Sequence, residues 1–476
     1  MSPAEQLTAR DAVFVYDEFE RHPCNIVAVY AFDATAPGAV TPDAATVIPW
    51  ARARLGHFRL FQRRLARVPW DLDLPYWVPD PEFDIERHIR LEPQRDWAAV
   101  RLRIAEIAAT RMDLRRPPWR IHLFDQVLGY PGAPGAVTLV LLGFHHSAGD
   151  GMATRELELR LFDGSELPAP HAPAAAREWS ARRALAKAAV VFPYRIARFA
   201  IGLRRTRATA VPALSEPPAL RPATRFNRRV DPIFGFDLLR LPMADVLKAK
   251  AASVERITVN DLVLTIVSDA LATYLEEHGE TPEGSLAAMV PRSMRGLAQW
   301  NSANQLTQMS IDLHTDIADP VERLLAIRDS ARREKRRGAD PAVLRQAERV
   351  QTSPAWLLRL AGWGRARRQF DAVSVVPLSN TTVSNVPPVA ERLAFLGAPM
   401  LSAFGALPIM DGDGLRHLIS SQGDELIISF SADTTMLPDT GHYTELLLGA
   451  FERLRRALEA QRARLESQRA RGLSQP

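Results

Sequence analysis

The pattern of apolar and polar positions divides the chain into short strands and helices. Residues 137–142 form an apolar segment rich in β-branched side chains, which predicts a buried strand. A helical pattern begins at Met152, so residues 143–151 should form a strand-to-helix turn. The longest apolar stretch, residues 188–203, is interrupted by proline and arginine and is shorter than the roughly 20 residues that span a bilayer. The pattern therefore predicts an α/β protein.

The remaining parts of the sequence predict further strands and helices. Strands are expected at residues 26–33, 74–78, 85–91, 121–125, 234–241, 373–386, 401–410, 415–421 and 425–431. Helices are expected at residues 44–58 and 443–464 and after Thr258, a plausible N-cap. His88 stands among charged residues, which favours a solvated surface histidine.

Length and composition indicate two domains. A chain of 476 residues is too long for one ordinary core. Proline, alanine and arginine dominate residues 168–222, which predicts a linker, a basic helix over 183–207 and a second linker. We therefore expect an N-terminal domain at 1–180, a crossover at 181–225 and a C-terminal domain at 226–476.

Charge and cysteine content narrow the function classes. Sixty Lys and Arg against 55 Asp and Glu give a net charge of +5, which fits an anionic membrane surface or a phosphorylated cofactor. This excess is too small to indicate nucleic-acid binding. Cys24 is the one cysteine, so no intramolecular disulfide forms and a reducing cytoplasm fits. The first residues lack the basic and apolar regions of a signal peptide.

Two adjacent histidines, His145 and His146, lie in the predicted turn and are followed by Asp150 and Gly151. A neutral imidazole can take a proton from a hydroxyl and pass it on. The pair could equally be a hydrogen-bonded structural pair. A metal site using His146 and Asp150 is a third interpretation, although no third ligand stands at a convincing spacing.

The His145-His146-x-x-x-Asp150-Gly151 spacing resembles the active-site motif of the CoA-dependent acyltransferase superfamily. More segments resemble the bacterial wax ester synthase/diacylglycerol acyltransferases of that superfamily. They are residues 7–12, Pro117 to Trp119, Asn260-Asp261, residues 290–295 with Asn304, and Ser384-Asn385. Three positions depart from the family pattern: Pro118, Ala303 and Pro388.

This resemblance implies an architecture and a reaction. Two chloramphenicol-acetyltransferase-like domains would be joined by the crossover, with an active-site tunnel at their interface. The reaction would move an acyl group from acyl-CoA, a co-substrate and not a resident cofactor, to a long-chain alcohol or diacylglycerol. His146 would be the general base, and no acyl-enzyme would form. The alternatives are a condensation-type or polyketide-associated enzyme using carrier-protein thioesters and a non-catalytic lipid-binding protein.

The resemblance also implies roles for the remaining residues. His145 would support the turn, Asp150 would anchor it through Arg295, and Gly151 would allow close backbone approach. Ser384 and Asn385 would supply donors to the oxyanion. No metal is expected. Substrate binding or structural support is expected of Pro117, Trp119, Asn260, Asp261 and Asn304.

Two helical segments mix aromatic and basic residues, and they predict peripheral docking on a membrane or lipid droplet. The alternative is that each apolar stripe packs on the protein's own core. In one segment the stripe comprises Trp356, Leu360, Trp363 and Phe370, with Arg359, Arg365, Arg367 and Arg368 around it. In the crossover helix it comprises Phe192, Ile196, Phe199 and Leu203, with Arg195, Arg198, Arg204 and Arg205.

Overall fold

Two six-stranded sheets and the helices that cover them form the protein. The computed structural model describes residues 4–55, 59–162, 179–208, 220–297, 300–372, 375–376, 378–386 and 393–472. The predicted linkers at 168–173 and 209–219 lie outside these residues, and the domain limits at 180 and 225 stay a prediction.

Several helices begin where the side chain of a capping residue accepts hydrogen bonds from the first amide groups. Thr8, Asp96 and Thr258 each accept a hydrogen bond from a first-turn backbone N–H. The α-helices of the described residues are α1 (Ala9–Asp17), α2 (Ala44–Leu55), α3 (Trp97–Ala109), α4 (Gly151–Phe162), α5 (Ala181–Ala208), α6 (Met243–Ala252), α7 (Val259–Glu277), α8 (Pro320–Arg337), α9 (Pro341–Ala347), α10 (Ala355–Ala366) and α11 (Thr440–Gly472).

Most predicted strands are present, with ends shifted by a few residues. The strands are β1 (Glu5–Gln6), β2 (Asn25–Asp33), β3 (Arg63–Ala66), β4 (Tyr76–Pro79), β5 (Ile89–Glu92), β6 (Trp119–Val127), β7 (Val137–His145), β8 (Arg221–Pro222), β9 (Phe234–Pro242), β10 (Ala287–Ser293), β11 (Leu306–Asp312), β12 (Val375–Val376), β13 (Thr381–Asn385), β14 (Ala394–Phe395), β15 (Ala398–Ala406), β16 (Leu415–Gln422) and β17 (Glu425–Asp433).

The first sheet has the order β14-β15-β2-β7-β6-β5. Strands β6 and β7 are antiparallel neighbours, as expected for a hairpin. All nine residues of β7 are buried because the strand is central and its faces are covered. Strand β15 comes from the second half of the chain and pairs antiparallel with β2. The sheet of the first half is therefore completed by residues of the second half.

The second sheet has the order β11-β10-β13-β16-β17-β9 and belongs to the second half of the chain. One continuous core of buried apolar side chains joins the two sheets. It includes Val29 and Leu139 from the first sheet and Phe236 and Ile428 from the second, with Ile104 of helix α3. The two halves are thus held together by the hydrophobic effect as well as by strand exchange.

Helix α10 packs closely on α1, and a glycine makes this possible. A Cβ atom added to Gly362 would lie 2.0 Å from the backbone oxygen of Tyr16. Ion pairs flank the contact: Arg365 lies 3.2 Å from Asp17, and Arg359 lies 3.0 Å from Asp71. Helix α10 is therefore fixed to α1, which carries residues that reach the histidine turn.

Two predictions are wrong, each for a physical reason. His88 is buried, because its ring stacks on Trp119 at 4.5 Å and its Nδ1 lies 2.8 Å from the Trp119 carbonyl. The strand predicted over 373–386 is replaced by two short strands, β12 and β13. Between them Asn380 pairs its side chain with the backbone of Pro222 and Ala287.

No α-helix within the described stretches is both long enough and apolar enough to span a bilayer.

The contact between α1 and α10 yields a stability prediction. Gly362→Ala should destabilise the protein by about 1–3 kcal/mol or more, because the new methyl meets the rigid backbone of Tyr16. Urea unfolding followed by circular dichroism measures the change. Gly364→Ala is the matched control: its Cβ would meet nothing within 4 Å, so the usual helix preference for alanine should leave stability equal or raised by about 0.5–1 kcal/mol. Equal stability of both variants would contradict the packing.

Candidate active site

The histidine turn lies where β7 ends and before α4 begins. Its three residues, His146 to Ala148, form a short 3-10 turn. The backbone holds this turn on both sides: His145 N–H donates to the Pro118 carbonyl at 3.0 Å, and His146 N–H donates to the Cys24 carbonyl at 2.7 Å. The turn therefore belongs to the rigid sheet, as a precisely positioned reactive group requires.

His145 is fully buried and supports the turn. The Ser147 backbone N–H donates to its Nδ1 at 3.2 Å, so Nδ1 is an acceptor and the ring proton is on Nε2. That nitrogen lies 3.6 Å from the Glu18 carboxylate. Burial raises the pKa of Glu18, but the contacts of His145 and of Arg111 outweigh it, and the net pKa is lowered. His145 is thus held between the turn and a buried carboxylate.

One ring nitrogen of His146 is hydrogen-bonded within the protein, and the other is available to accept a proton. Its Nδ1 lies 2.8 Å from Asn304 Oδ1. The amide orientation of Asn304 is fixed, because its Nδ2 donates to the His146 carbonyl and to Asp11 Oδ1, both at 2.8 Å. An amide oxygen only accepts, so His146 Nδ1 carries the proton and Nε2 carries the lone pair. Within the described chain no hydrogen bond reaches Nε2.

The surroundings keep the His146 ring neutral. The pKa of His146 is lowered from 6.5 to about 4, chiefly because the ring is buried and also because of the neighbouring His145, and the bond to Asn304 only partly opposes this. The ring of Phe14 stacks on the imidazole at 4.0 Å and 5°. His146 nevertheless retains partial surface exposure. At neutral pH it is an uncharged acceptor of protons, held flat against Phe14.

Asp11 connects the two halves of the chain at this point. Its carboxylate accepts from the backbone N–H of Asn304 at 2.9 Å and of Ala303 at 3.2 Å, and from the Thr8 hydroxyl at 2.6 Å. Asp11 is buried in the first turn of α1. One carboxylate from the first half therefore fixes the segment of the second half that orients His146.

Asp150 forms a second connection. It is fully buried, and its Oδ2 accepts from Arg295 Nη1 at 2.8 Å and from the Gln305 backbone N–H at 3.0 Å. Arg295 also donates to the Ala303 carbonyl at 3.1 Å. The contact expected between Asp150 and Arg295 is present, and Gly151 is the first residue of α4. Among the described residues no group of three or more His, Cys, Asp or Glu could hold a metal ion.

The Pro-Pro-Trp segment supports the turn from the side. Trp119 is buried at the start of β6, and its indole N–H donates to the Phe61 carbonyl at 2.8 Å. Pro117 is buried beside it, and the Pro118 carbonyl holds the backbone of His145. Because that contact uses only a backbone oxygen, the departure from the family pattern at Pro118 leaves it unchanged.

Other predicted residues lie apart from this network. Asp261 forms a reciprocal cap with Thr258 at the start of α7, and Asn260 follows Val259 in its first turn. Ser384 is half-buried and Asn385 is exposed at the end of β13. In the described part of the chain neither side chain bonds to the histidine turn, so the proposed roles of these residues stay predictions.

Sequence reasoning missed three site residues. Phe14 and Glu18 contact the two histidines, and Asp11 holds Asn304. Asp11 and Asn304 both stand in segments with family resemblance, but their separation of 293 positions hid the contact between them.

Comparison with known proteins identifies the family of the chain. The model of the wax ester synthase/diacylglycerol acyltransferase catalytic domain matches residues 7–263, more than half of the chain. The model of the WS/DGAT C-terminal domain matches residues 302–455. A Mycobacterium tuberculosis protein, provisionally named a diacylglycerol O-acyltransferase, is 28% identical over 455 residues and covers 91% of this chain and 87% of its own length. A similarly named Mycobacterium bovis protein is 26% identical, with coverages of 94% and 93%.

Solved structures share the fold. The wax ester synthase/diacylglycerol acyltransferase from Marinobacter aquaeolei superposes with a TM-score of 0.65 at 20% identity, over 95% of this chain and 99% of that one. A trichothecene 15-O-acetyltransferase from Fusarium sporotrichioides gives a TM-score of 0.59 at 12% identity, with coverages of 96% and 95%. The expected fold class, α/β with two acyltransferase-like domains, is confirmed. The chain belongs to the wax ester synthase/diacylglycerol acyltransferase family.

Proposed function

We propose that this protein moves a fatty acyl group from acyl-CoA to a long-chain alcohol, giving a wax ester, or to diacylglycerol, giving triacylglycerol. The observation that carries the proposal is the hydrogen bond from His146 Nδ1 to Asn304, which leaves a basic Nε2 on a partly exposed ring. Family membership supports the reaction class, and the names of the relatives supply both acceptors.

The chemistry requires one proton acceptor that later becomes a donor. His146 Nε2 takes the proton of the acceptor hydroxyl as its oxygen attacks the thioester carbonyl. The new C–O bond forms, the C–S bond breaks, and His146 returns the proton to the departing thiolate. Asn304 holds the proton on Nδ1 throughout, so the same nitrogen serves both steps. No acyl-enzyme intermediate is needed.

The negative charge on the carbonyl oxygen needs hydrogen-bond donors. Ser384 and Asn385 remain the proposed donors. Supporting this, the preceding hydroxyls of β13 are already used: Thr381 donates to the Leu415 carbonyl at 2.6 Å, and Thr382 donates to Asp413 at 2.5 Å. Ser384 and Asn385 make no such bonds within the described chain, which leaves their side chains able to turn toward a ligand.

Both acceptors are water-insoluble, so the proposed reaction takes place at a lipid surface. We propose peripheral association with the inner membrane face or with lipid droplets. The mild positive charge of the chain supports this, because cytoplasmic lipid surfaces are anionic.

Turnover tests the function directly. Palmitoyl-CoA with hexadecanol or with diolein should give ester and free CoA, and His146→Ala should lower the rate by roughly 10²–10⁴-fold because the base is lost. Thin-layer chromatography of labelled product measures both acceptors. His442→Ala removes an exposed histidine of α11 and should leave the rate unchanged. Full activity of a folded His146→Ala variant, or product from a carrier-protein thioester alone, would contradict the proposal.

The pH profile reports the state of His146. Because its pKa is lowered to about 4, the ring stays neutral until the pH falls through that value. The acid limb of kcat/KM should therefore lie near pH 4, whereas an ordinary histidine would lose activity near pH 6.5. Rates measured from about pH 3 to pH 8 cover the limb on both sides of this value. Samples returned to neutral pH check that the fold survived, and a limb above pH 6 would contradict a buried neutral base.

Asp150→Asn tests whether Asp150 is an anchor. The substitution removes the counter-ion of Arg295, which is about one-third exposed, so a loss of about 2 kcal/mol is expected together with reduced turnover. Thermal unfolding and turnover are measured on the same preparation. Asp113→Asn is the control, because its exposed pair with Arg115 should contribute nothing measurable. Unchanged melting with lost activity would instead indicate a direct chemical role.

A further inference from the structure

We propose that one exposed aromatic and basic surface docks this protein on anionic lipid next to His146. The inference deepens the proposed function and depends on it for the identity of the acceptor. The surface comprises large apolar side chains from a loop and two helices, and we call it the aromatic face. Its members are Trp70, Val190, Tyr194, Ile201, Trp356, Leu360 and Trp363.

Helix α10 contributes a stripe that points away from the core. Leu360 is 54% exposed and Trp363 is 55% exposed, and Trp356, at 40%, lies one turn before Leu360. The buried residues of this helix are Ala355 and Gly362, which lie on a different side of the helix from this stripe. Tryptophan and leucine so exposed at helical spacing are typical of a helix that lies in a lipid interface.

Helix α5 contributes a second stripe, at positions other than those predicted. Phe192, Ile196 and Leu203 of the predicted stripe are half-buried. The exposed residues are Val190 at 81%, Tyr194 at 67% and Ile201 at 49%, which share one side of the helix at spacings of four and seven.

The loop at residues 69–73 forms an ion pair with each of these two helices. Asp71 accepts from Arg359 of α10 at 3.0 Å, and Asp73 lies 2.7 Å from Arg195 of α5. Between these contacts Trp70 is 81% exposed, with φ values of 60° at Trp70 and 52° at Asp71. Left-handed backbone at two non-glycine residues is strained and persists only when neighbours hold it. The ion pairs thus keep an indole directed into solvent.

The charge of α5 and α10 indicates what kind of surface the aromatic face would bind. Neither α5 nor α10 contains a single Asp or Glu. Arg367 stacks on Trp363 at 4.2 Å, and Arg198 and Arg204 are exposed on α5. Exposed indoles beside unopposed arginines fit anionic headgroups above an apolar layer, since each arginine near such a surface adds attraction. An acidic protein would match the charge alone, without using the apolar stripes.

The aromatic face is one helix away from the base. Helix α10 packs on α1 through Gly362 and Tyr16, and α1 presents Phe14 to the His146 ring. A lipid acceptor leaving the docked surface would therefore meet the site after crossing the width of a single helix. The aromatic face is therefore placed where it could bring a lipid acceptor close to His146.

Flotation with vesicles tests the docking. The full chain should float with phosphatidylglycerol vesicles at about 0.05 M salt and much less at about 0.5 M salt, because salt screens the arginines. Replacing Trp70, Trp356 and Trp363 together with alanine should weaken binding at least about tenfold. The single substitution Leu360→Ala should weaken binding less. Its control is Leu102→Ala, which removes a leucine of α3 that is 65% exposed, against 54% for Leu360.

Each outcome decides the proposal. Wild type that stays in the soluble fraction, or a triple variant that floats like wild type, would overturn it. Equal binding to neutral phosphatidylcholine at both salt concentrations would overturn the assignment to anionic lipid. Equal loss for Leu360→Ala and Leu102→Ala would show a non-specific effect and overturn the choice of surface.

Activity separates this inference from the proposed function. With a short soluble alcohol and a short acyl-CoA, the triple variant should keep the wild-type rate. With diolein in anionic vesicles its rate should fall at least about tenfold, in line with flotation. Flotation without turnover on any acceptor would refute the proposed function and leave the docking surface intact. A soluble-substrate rate that falls equally would show that the three tryptophans serve the fold, which overturns the docking role.

Discussion

The hydrogen bond between His146 Nδ1 and Asn304 is the contact on which the site depends. It selects the tautomer of the imidazole, and it does so only because Asp11 and the His146 carbonyl fix the amide orientation. An asparagine able to rotate would present either a donor or an acceptor, and the basic nitrogen would no longer be defined. Asp11 thus determines which ring nitrogen of His146 is basic, although it acts through Asn304 and not on the ring itself.

The same contacts join the halves of the protein. Backbone amides of residues 303–305 donate to Asp11 and to Asp150, and Arg295 donates both to Asp150 and to the Ala303 carbonyl. Buried carboxylates in low-polarity surroundings are stable only when several donors reach them. Each acid therefore acts as a fixed point for the backbone, and the base is oriented only when both halves have packed together.

Local patterns predicted much of this molecule. The apolar run of β7 and the cap at Thr258 follow from residue type and spacing, whereas the pairing of Asp150 with Arg295 was expected only from the family resemblance. Most contacts between residues far apart in the sequence could not be predicted in this way. His88 appeared solvated because its sequence neighbours are charged, although its ring packs on Trp119. The contact of Asp11 with Asn304 and the membership of β15 in the first sheet depend on chain topology, which periodicity does not encode.

The pairing of β15, from the second half of the chain, with β2 has a consequence for the synthesis of the protein. Until residue 406 has been translated, β2 lacks its neighbour on one side, and its backbone N–H and C=O groups are free to pair with another chain. The first half cannot finish its sheet during translation, and it must remain soluble while more than half of the chain's length is still being added or folded. A fragment ending before that strand would carry an apolar edge and aggregate. The first sheet can therefore be completed only near the end of synthesis, after β15 has been made.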